Sequence, residues 1–126
     1  MEIEVEEKEG YHVVAPVGEL DVYTIPLFRK VVLKLEGERA RDLILDLTRV
    51  TFIDSSGLGS LIETYQKVKA VDGELAYVID NPRVLKILSL VNLDKVFRVF
   101  SNLGQALQDV GVTGGYVDEE FFSDLT

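Results

Sequence analysis

Two short runs, Asp42–Leu47 and Leu75–Ile79, are apolar along most of their length and end in polar residues. A strand with that composition is buried on both faces, so it must lie inside a sheet with layers above and below it. No other feature limits the possible folds as much. Around these runs the apolar period changes to the helical one. Ile25, Phe28, Val32 and Leu35 follow Thr24 and Pro26 and stop at Gly37, which predicts a first helix. Leu58, Leu61, Ile62, Tyr65 and Val68 form a second stripe ending at Asp72-Gly73, with Glu63 and Lys67 spaced to pair on its outer face. Asn81-Pro82 starts a third helix with Val84, Ile87, Leu88 and Val91 inward. Ser101 or Asn102 caps a fourth, with Leu103, Ala106, Leu107 and Val110 inward and Gly111 as its breaker.

The chain opens differently. Ile3 and Val5 alternate with Glu2, Glu4 and Glu6, and Gly10 turns the chain into Tyr11–Val17, which predicts a β-hairpin with a solvated acidic face. Val96–Phe100 reads as a last strand. The predicted order is ββαβαβαβα: a single α/β domain with a mixed sheet opened by a hairpin and helices packed on it. A length of 126 residues with 47% apolar content is enough for one core. The expected domain covers residues 1–110. Residues 111–126 combine three glycines with Tyr116, Phe121 and Phe122 among four acids and no base, the composition of a flexible acidic-aromatic tail.

Charge and composition remove several classes of function. With 13 basic and 22 acidic residues the formal charge is −9, which repels nucleic-acid phosphates and anionic membranes. There is no cysteine, hence no disulfide, thiol nucleophile or Cys-ligated metal. No run of 18 apolar residues and no signal-like start occurs, so a soluble, cytoplasmic protein is expected. His12, the only histidine, lies in the second strand, away from any serine-bearing turn, so a Ser-His-Asp triad has no evident assembly. Gly57-Leu58-Gly59 imitates the start of a dinucleotide fingerprint, with Asp80 near the place of a ribose-binding acid. The third glycine is absent, and the segment Thr48–Asp54 reads as a loop between the preceding strand and the glycines. No cofactor, no metal and no catalytic residue is predicted.

The run Asp54-Ser55-Ser56-Gly57-Leu58-Gly59 heads the second helix. One cap residue would suffice there, yet Asp54, Ser55 and Ser56 are all competent to cap. Gly57 and Gly59 read as leaving the helix start bare and open to another protein. This run resembles the Asp-Ser-Ser/Thr-Gly-Leu-Gly motif of the anti-sigma factor antagonist family, carried at the second helix of its STAS domain. The resemblance extends through Gly18-Glu19-Leu20-Asp21-Val22-Tyr23-Thr24, through Leu45-Asp46-Leu47 and Val50-Thr51-Phe52-Ile53-Asp54, and through Val91-Asn92-Leu93-Asp94-Lys95-Val96-Phe97. It covers residues 3 to about 110.

The resemblance implies a STAS-like fold and a binding module in place of an enzyme. Unmodified, such a protein binds an anti-sigma factor and frees a sigma factor. The anti-sigma factor is also a serine kinase that phosphorylates the serine after the aspartate, here Ser55, with the adjacent Ser56 as the alternative, and a PP2C-type phosphatase restores it. Asp21, Tyr23, Thr24, Asp54, Ser55, Ser56, Gly57, Leu58 and Gly59 are the implied contact set. STAS domains also occur in stress-signalling scaffolds and lipid-transport complexes, which is the alternative setting for the same fold.

Overall fold

The computed structural model describes residues 1–113, apart from Glu9 and Arg39. Its elements run β1 (Glu2–Lys8), β2 (Tyr11–Leu20), α1 (Ile25–Gly37), β3 (Leu43–Asp46), β4 (Val50–Ile53), α2 (Ser55–Ala70), β5 (Leu75–Val78), α3 (Pro82–Leu90), a 3-10 turn (Leu93–Lys95), β6 (Arg98–Phe100) and α4 (Leu103–Thr113). The sheet order is β1-β2-β3-β5-β6, with β4 paired to the end of β2. β1 and β2 are antiparallel, from Glu2 opposite Val17 to Lys8 opposite Tyr11, and every other pairing is parallel. The mixed sheet and its opening hairpin are as the sequence predicts.

β3 and β5 are central, and the apolar runs that predicted them are buried on both sides. Leu43, Leu45, Leu75 and Tyr77 face a large core shared with α1, α2 and α3. Ile44, Ala76 and Val78 face a smaller one closed by Ala106 and Val110 of α4. The fully buried phenol of Tyr77 donates to the Leu61 carbonyl at 3.0 Å, and its ring stacks on Phe97 with centroids 4.2 Å apart. Burial pushes that phenol up from its ordinary ionisation range.

β2 is longer than its neighbours because it serves two partners. His12–Val14 pair with β3, whereas Gly18–Leu20 pair with β4, with a register shift inside that pairing between Gly18 and Glu19. Gly18 has φ +109° there, a conformation that suits glycine. The sequence reading took Thr48–Asp54 as a loop and missed β4. Its buried residues, Val50 and Ile53, are three apart with exposed Thr51 and Phe52 between them, so it shows no alternation.

Other local expectations give way to tertiary contacts. Glu63 pairs with Arg29 of α1 at 3.3 Å and Lys67 with Glu36 of α1 at 3.1 Å, so the outer charges of α2 tie two helices together instead of pairing along one. Val91 and Val96 are exposed: α3 ends at Leu90, and the 3-10 turn intervenes before β6, which starts only at Arg98. Asn102, not Ser101, caps α4 by accepting from Gln105 N–H at 2.9 Å. α4 continues through Gly111 to Thr113, since one glycine in a last turn costs only about 1 kcal/mol. The remainder of the expected tail, residues 114–126, lies outside the described residues.

Candidate functional site

β2 and β4 end side by side, with Leu20 paired to Ile53, and the chain leaves each strand through an aspartate. After β2, Asp21 folds the loop onto itself. Its Oδ1 accepts from Tyr23 N–H (2.9 Å) and Thr24 N–H (3.1 Å), and its backbone N–H donates to Thr24 Oγ1 (2.9 Å). Thr24 Oγ1 in turn donates to the Glu19 carbonyl at 2.8 Å. Asp21 and Thr24 are therefore occupied in shaping the turn, and Thr24 does not cap α1 with its side chain. The turn pushes Tyr23 outward until it is 88% exposed, beside Val22 at 55%.

After β4, Asp54 is the N-cap of α2. One carboxylate oxygen accepts from Gly57 N–H at 2.9 Å, and the other accepts from Val22 N–H at 3.1 Å. A single side chain thus caps the helix and holds the Asp21–Thr24 turn against it.

The serines differ in their setting. Ser55, the first residue of α2, is exposed, whereas Ser56 is half-buried. Gly57 is buried and is not part of an open face: a methyl group at its Cα would collide with the Leu20 carbonyl and come within 2.8 Å of Ile53 Cγ2. Its missing side chain lets the helix start sit directly on the strand ends. Leu58 packs against the large core. Gly59 alone matches the expected bare position, exposed and with open space where a Cβ would stand. Farther along, Ser60 and Thr64 donate to the Gly57 and Ser60 carbonyls and are satisfied inside α2.

Of the expected contact set, the structure thus brings Tyr23, Ser55 and Gly59 to the surface at one end of the sheet and uses Asp21, Thr24, Asp54, Gly57 and Leu58 to build the support. Two residues that the sequence reading did not single out join the surface: Val22, and Phe52, 49% exposed two residues before Asp54. An exposed aromatic in a four-residue strand carries no periodic signal, which is why Phe52 escaped notice.

The site's relation to the chemistries considered from sequence is also visible. His12 stands eight residues before Leu20 on β2, a separation of about 26 Å by strand rise. β4 reaches Asp54 directly, so the glycines do follow a tight strand-to-helix turn, contrary to the sequence reading. The Gly57 N–H that would face a phosphate is instead taken by Asp54, and the Cα is packed on Leu20. Among the described residues, no group of three or more His, Asp or Glu side chains is placed to hold a metal ion, and no helix is long and apolar enough to cross a membrane.

Comparison with known proteins gives a consistent result. The family model described as "STAS domain" matches residues 2–106. The "Anti-sigma F factor antagonist" of Paenibacillus polymyxa is 30% identical over 113 residues, 89% of this chain and 97% of that protein. The "Anti-sigma-B factor antagonist" of Staphylococcus aureus is 28% identical over 99 residues, 79% of this chain and 92% of the other. Among solved structures, an anti-sigma factor antagonist from Mycobacterium paratuberculosis superposes with a TM-score of 0.80 at 30% identity, covering 86% of this chain and 92% of that one.

Proposed function

The chain belongs to the STAS domain family, and from that premise we propose that it is an anti-sigma factor antagonist whose grip on its partner is switched at Ser55. In the unmodified state it binds an anti-sigma factor through Tyr23, Val22, Phe52 and the exposed start of α2, and a sigma factor is released. The anti-sigma factor acts as a serine kinase on Ser55, and a PP2C-type phosphatase reverses the modification. The protein is a substrate and a ligand in this cycle, not a catalyst.

The observation that carries this reading is the contrast between the two serines: Ser55 is exposed at the first position of α2, while Ser56 is half-buried beside it. A kinase must bring its phosphoryl donor to the hydroxyl, and the greater exposure of Ser55 supports it as the acceptor. A phosphate there adds about −1.5 to −2 charge. The first-turn N–H groups and the positive end of the helix dipole favour it, while the Asp54 carboxylate one residue away opposes it. The fold tolerates that balance. A partner surface packed on the helix start does not, because it meets new bulk and charge together.

Co-purification from a native extract, followed by phosphopeptide mapping with ATP, tests the proposal. Capture of an ATP-binding serine kinase and modification at Ser55, abolished by Ser55→Ala and retained in Ser56→Ala, is expected. Modification only at Ser56, or capture of transporter or scaffold subunits without a kinase, refutes it.

A further inference from the structure

The segment from Asn81 to Val96, which forms α3 and the 3-10 turn, is a cationic exception in a chain of formal charge −9. It carries Arg83, Lys86 and Lys95 against Asp94 alone, and Asp80 stands just before its first residue. Arg83, Lys86 and Leu90 are three and four residues apart, so they share one stripe of α3. All three are exposed, Leu90 at 72%. Val84 and Leu88, on another side of the helix, hold α3 on the large core. The 3-10 turn packs on α3 and brings up exposed Lys95 and, just after it, exposed Val96, while Val91 in the link is exposed as well.

These cations are not already neutralised. Arg29, Arg49, Lys67 and Arg98 are each held by a carboxylate, whereas among the described residues Arg83, Lys86 and Lys95 are in no ion pair. Glu74 and Asp109, the acids nearest the start of β6, are both bound to Arg98. Leu90, Val91 and Val96 therefore form an exposed apolar cluster rimmed by free positive charge, the composition of a protein-binding patch. Its place is distinct from the Ser55 surface. α3 starts where β5 ends, at the same end of the parallel strands as Asp54, and its nine residues run about 14 Å back toward the end where β5 and β6 begin.

We propose that α3 and the 3-10 turn form a second docking surface, for a segment of a partner protein in which carboxylates flank leucine or phenylalanine. The apolar side chains of that segment cover Leu90, Val91 and Val96, and its carboxylates meet Arg83, Lys86 and Lys95. Charge selects this occupant. A single segment touches only the patch and is screened from charges more than about 8 Å away, whereas an anionic membrane or a second copy of the chain approaches on a broad front and meets the net −9. The inference does not depend on the switch at Ser55, and its test leaves that residue untouched.

The full-length protein with a photoreactive benzophenone amino acid in place of exposed Ser89, beside the patch, tests it by crosslinking in a native extract and sequencing of the captured peptide. A peptide of another protein with acidic residues beside leucine or phenylalanine is expected. A synthetic copy of it, titrated into the isotope-labelled parent protein, is expected to shift the amide signals of residues 83–96. Arg83→Glu/Lys86→Glu is expected to weaken that binding at least about tenfold while keeping the melting temperature within about 3 °C, since both side chains are exposed. Leu90→Ser is expected to weaken it as well. Capture of a peptide without acidic residues, of this chain itself or of nothing would each overturn the proposal. So would undiminished binding in the charge-reversed protein, or crosslinking to phosphatidylglycerol-containing vesicles in place of protein.

Discussion

Asp54 accepts a hydrogen bond from the backbone N–H of Val22 at 3.1 Å, thirty-two residues away in sequence, while its other oxygen caps α2 at Gly57. The helix that carries Ser55 and the turn that displays Tyr23 are therefore held by one carboxylate. Asp54→Asn separates the two roles. The amide oxygen still caps, but the amide nitrogen cannot accept from Val22. This variant is expected to lose about 0.5–1.5 kcal/mol in urea unfolding and to weaken partner binding. Asp54→Ala removes the cap as well and is expected to lose a further ~1 kcal/mol. An Asp54→Asn protein as stable as the parent would show that the Val22 contact contributes nothing, and equal losses in the two variants would show the same of the cap.

Gly57 and Gly59 look alike in sequence and are expected to respond oppositely to alanine. At Gly57 the added methyl meets the Leu20 carbonyl, which belongs to backbone and cannot swing aside, so about 1–3 kcal/mol of stability should be lost. At Gly59 nothing lies within 4 Å of the added atom, and replacing a helical glycine should gain about 0.5–1 kcal/mol. Thermal unfolding of the two variants reads the sign directly. If the partner packs on Gly59, the stabilised Gly59→Ala protein should also bind more weakly, which separates a surface role from a folding role.

The contrast between these glycines shows where sequence stops being informative. The alternation of hairpin, apolar strands and helix stripes is a local pattern, and it yielded the layered mixed sheet. Asp54 as a cap was equally local. Its second partner, Val22, was not, nor was the contact between Gly57 and Leu20, because both arise only when β4 is laid beside β2. β4 itself was hidden because Thr51 and Phe52 break its alternation. Glu63 and Lys67 had the right spacing to pair but found closer partners on α1, which no single-helix pattern reveals. The difference in exposure between Ser55 and Ser56 was likewise invisible, because it is a property of the packed helix start.

Asp42 should make stability depend on pH in a particular direction. Its side chain is buried, Oδ1 accepts from Glu74 N–H, and Oδ2 has no hydrogen-bond partner. Burial raises its pKa, against the Glu74 hydrogen bond and the Arg41 and Arg98 charges that lower it. The native state thus keeps a proton that the unfolded chain has already lost. Stability from this group is full below the ordinary carboxylate pKa, falls as pH rises through the raised native value, and is constant above it. In Asp42→Asn that decline is absent, so urea unfolding should show the variant gaining on the parent as pH rises from the ordinary carboxylate range through the raised native value. A gap that stays constant, or shrinks, would place the proton elsewhere.

Ser55→Asp tests whether the switch acts at the surface or through the fold. An acidic side chain at the first position of a helix gains about 0.3–1 kcal/mol from the dipole and gives back part of this to repulsion from Asp54. The melting temperature should therefore move by no more than about 3 °C. Affinity for the anti-sigma factor should fall at least tenfold, a loss of about 1.4 kcal/mol. Ser55→Ala should keep both the stability and the affinity of the unmodified protein, and should stay bound when ATP is added. A Ser55→Asp protein that binds weakly only because it has partly unfolded would show a large drop in melting temperature. The effect of phosphorylation would then run through the Asp54 link to the Val22 turn, and Asp54→Asn should reproduce it without any charge being added.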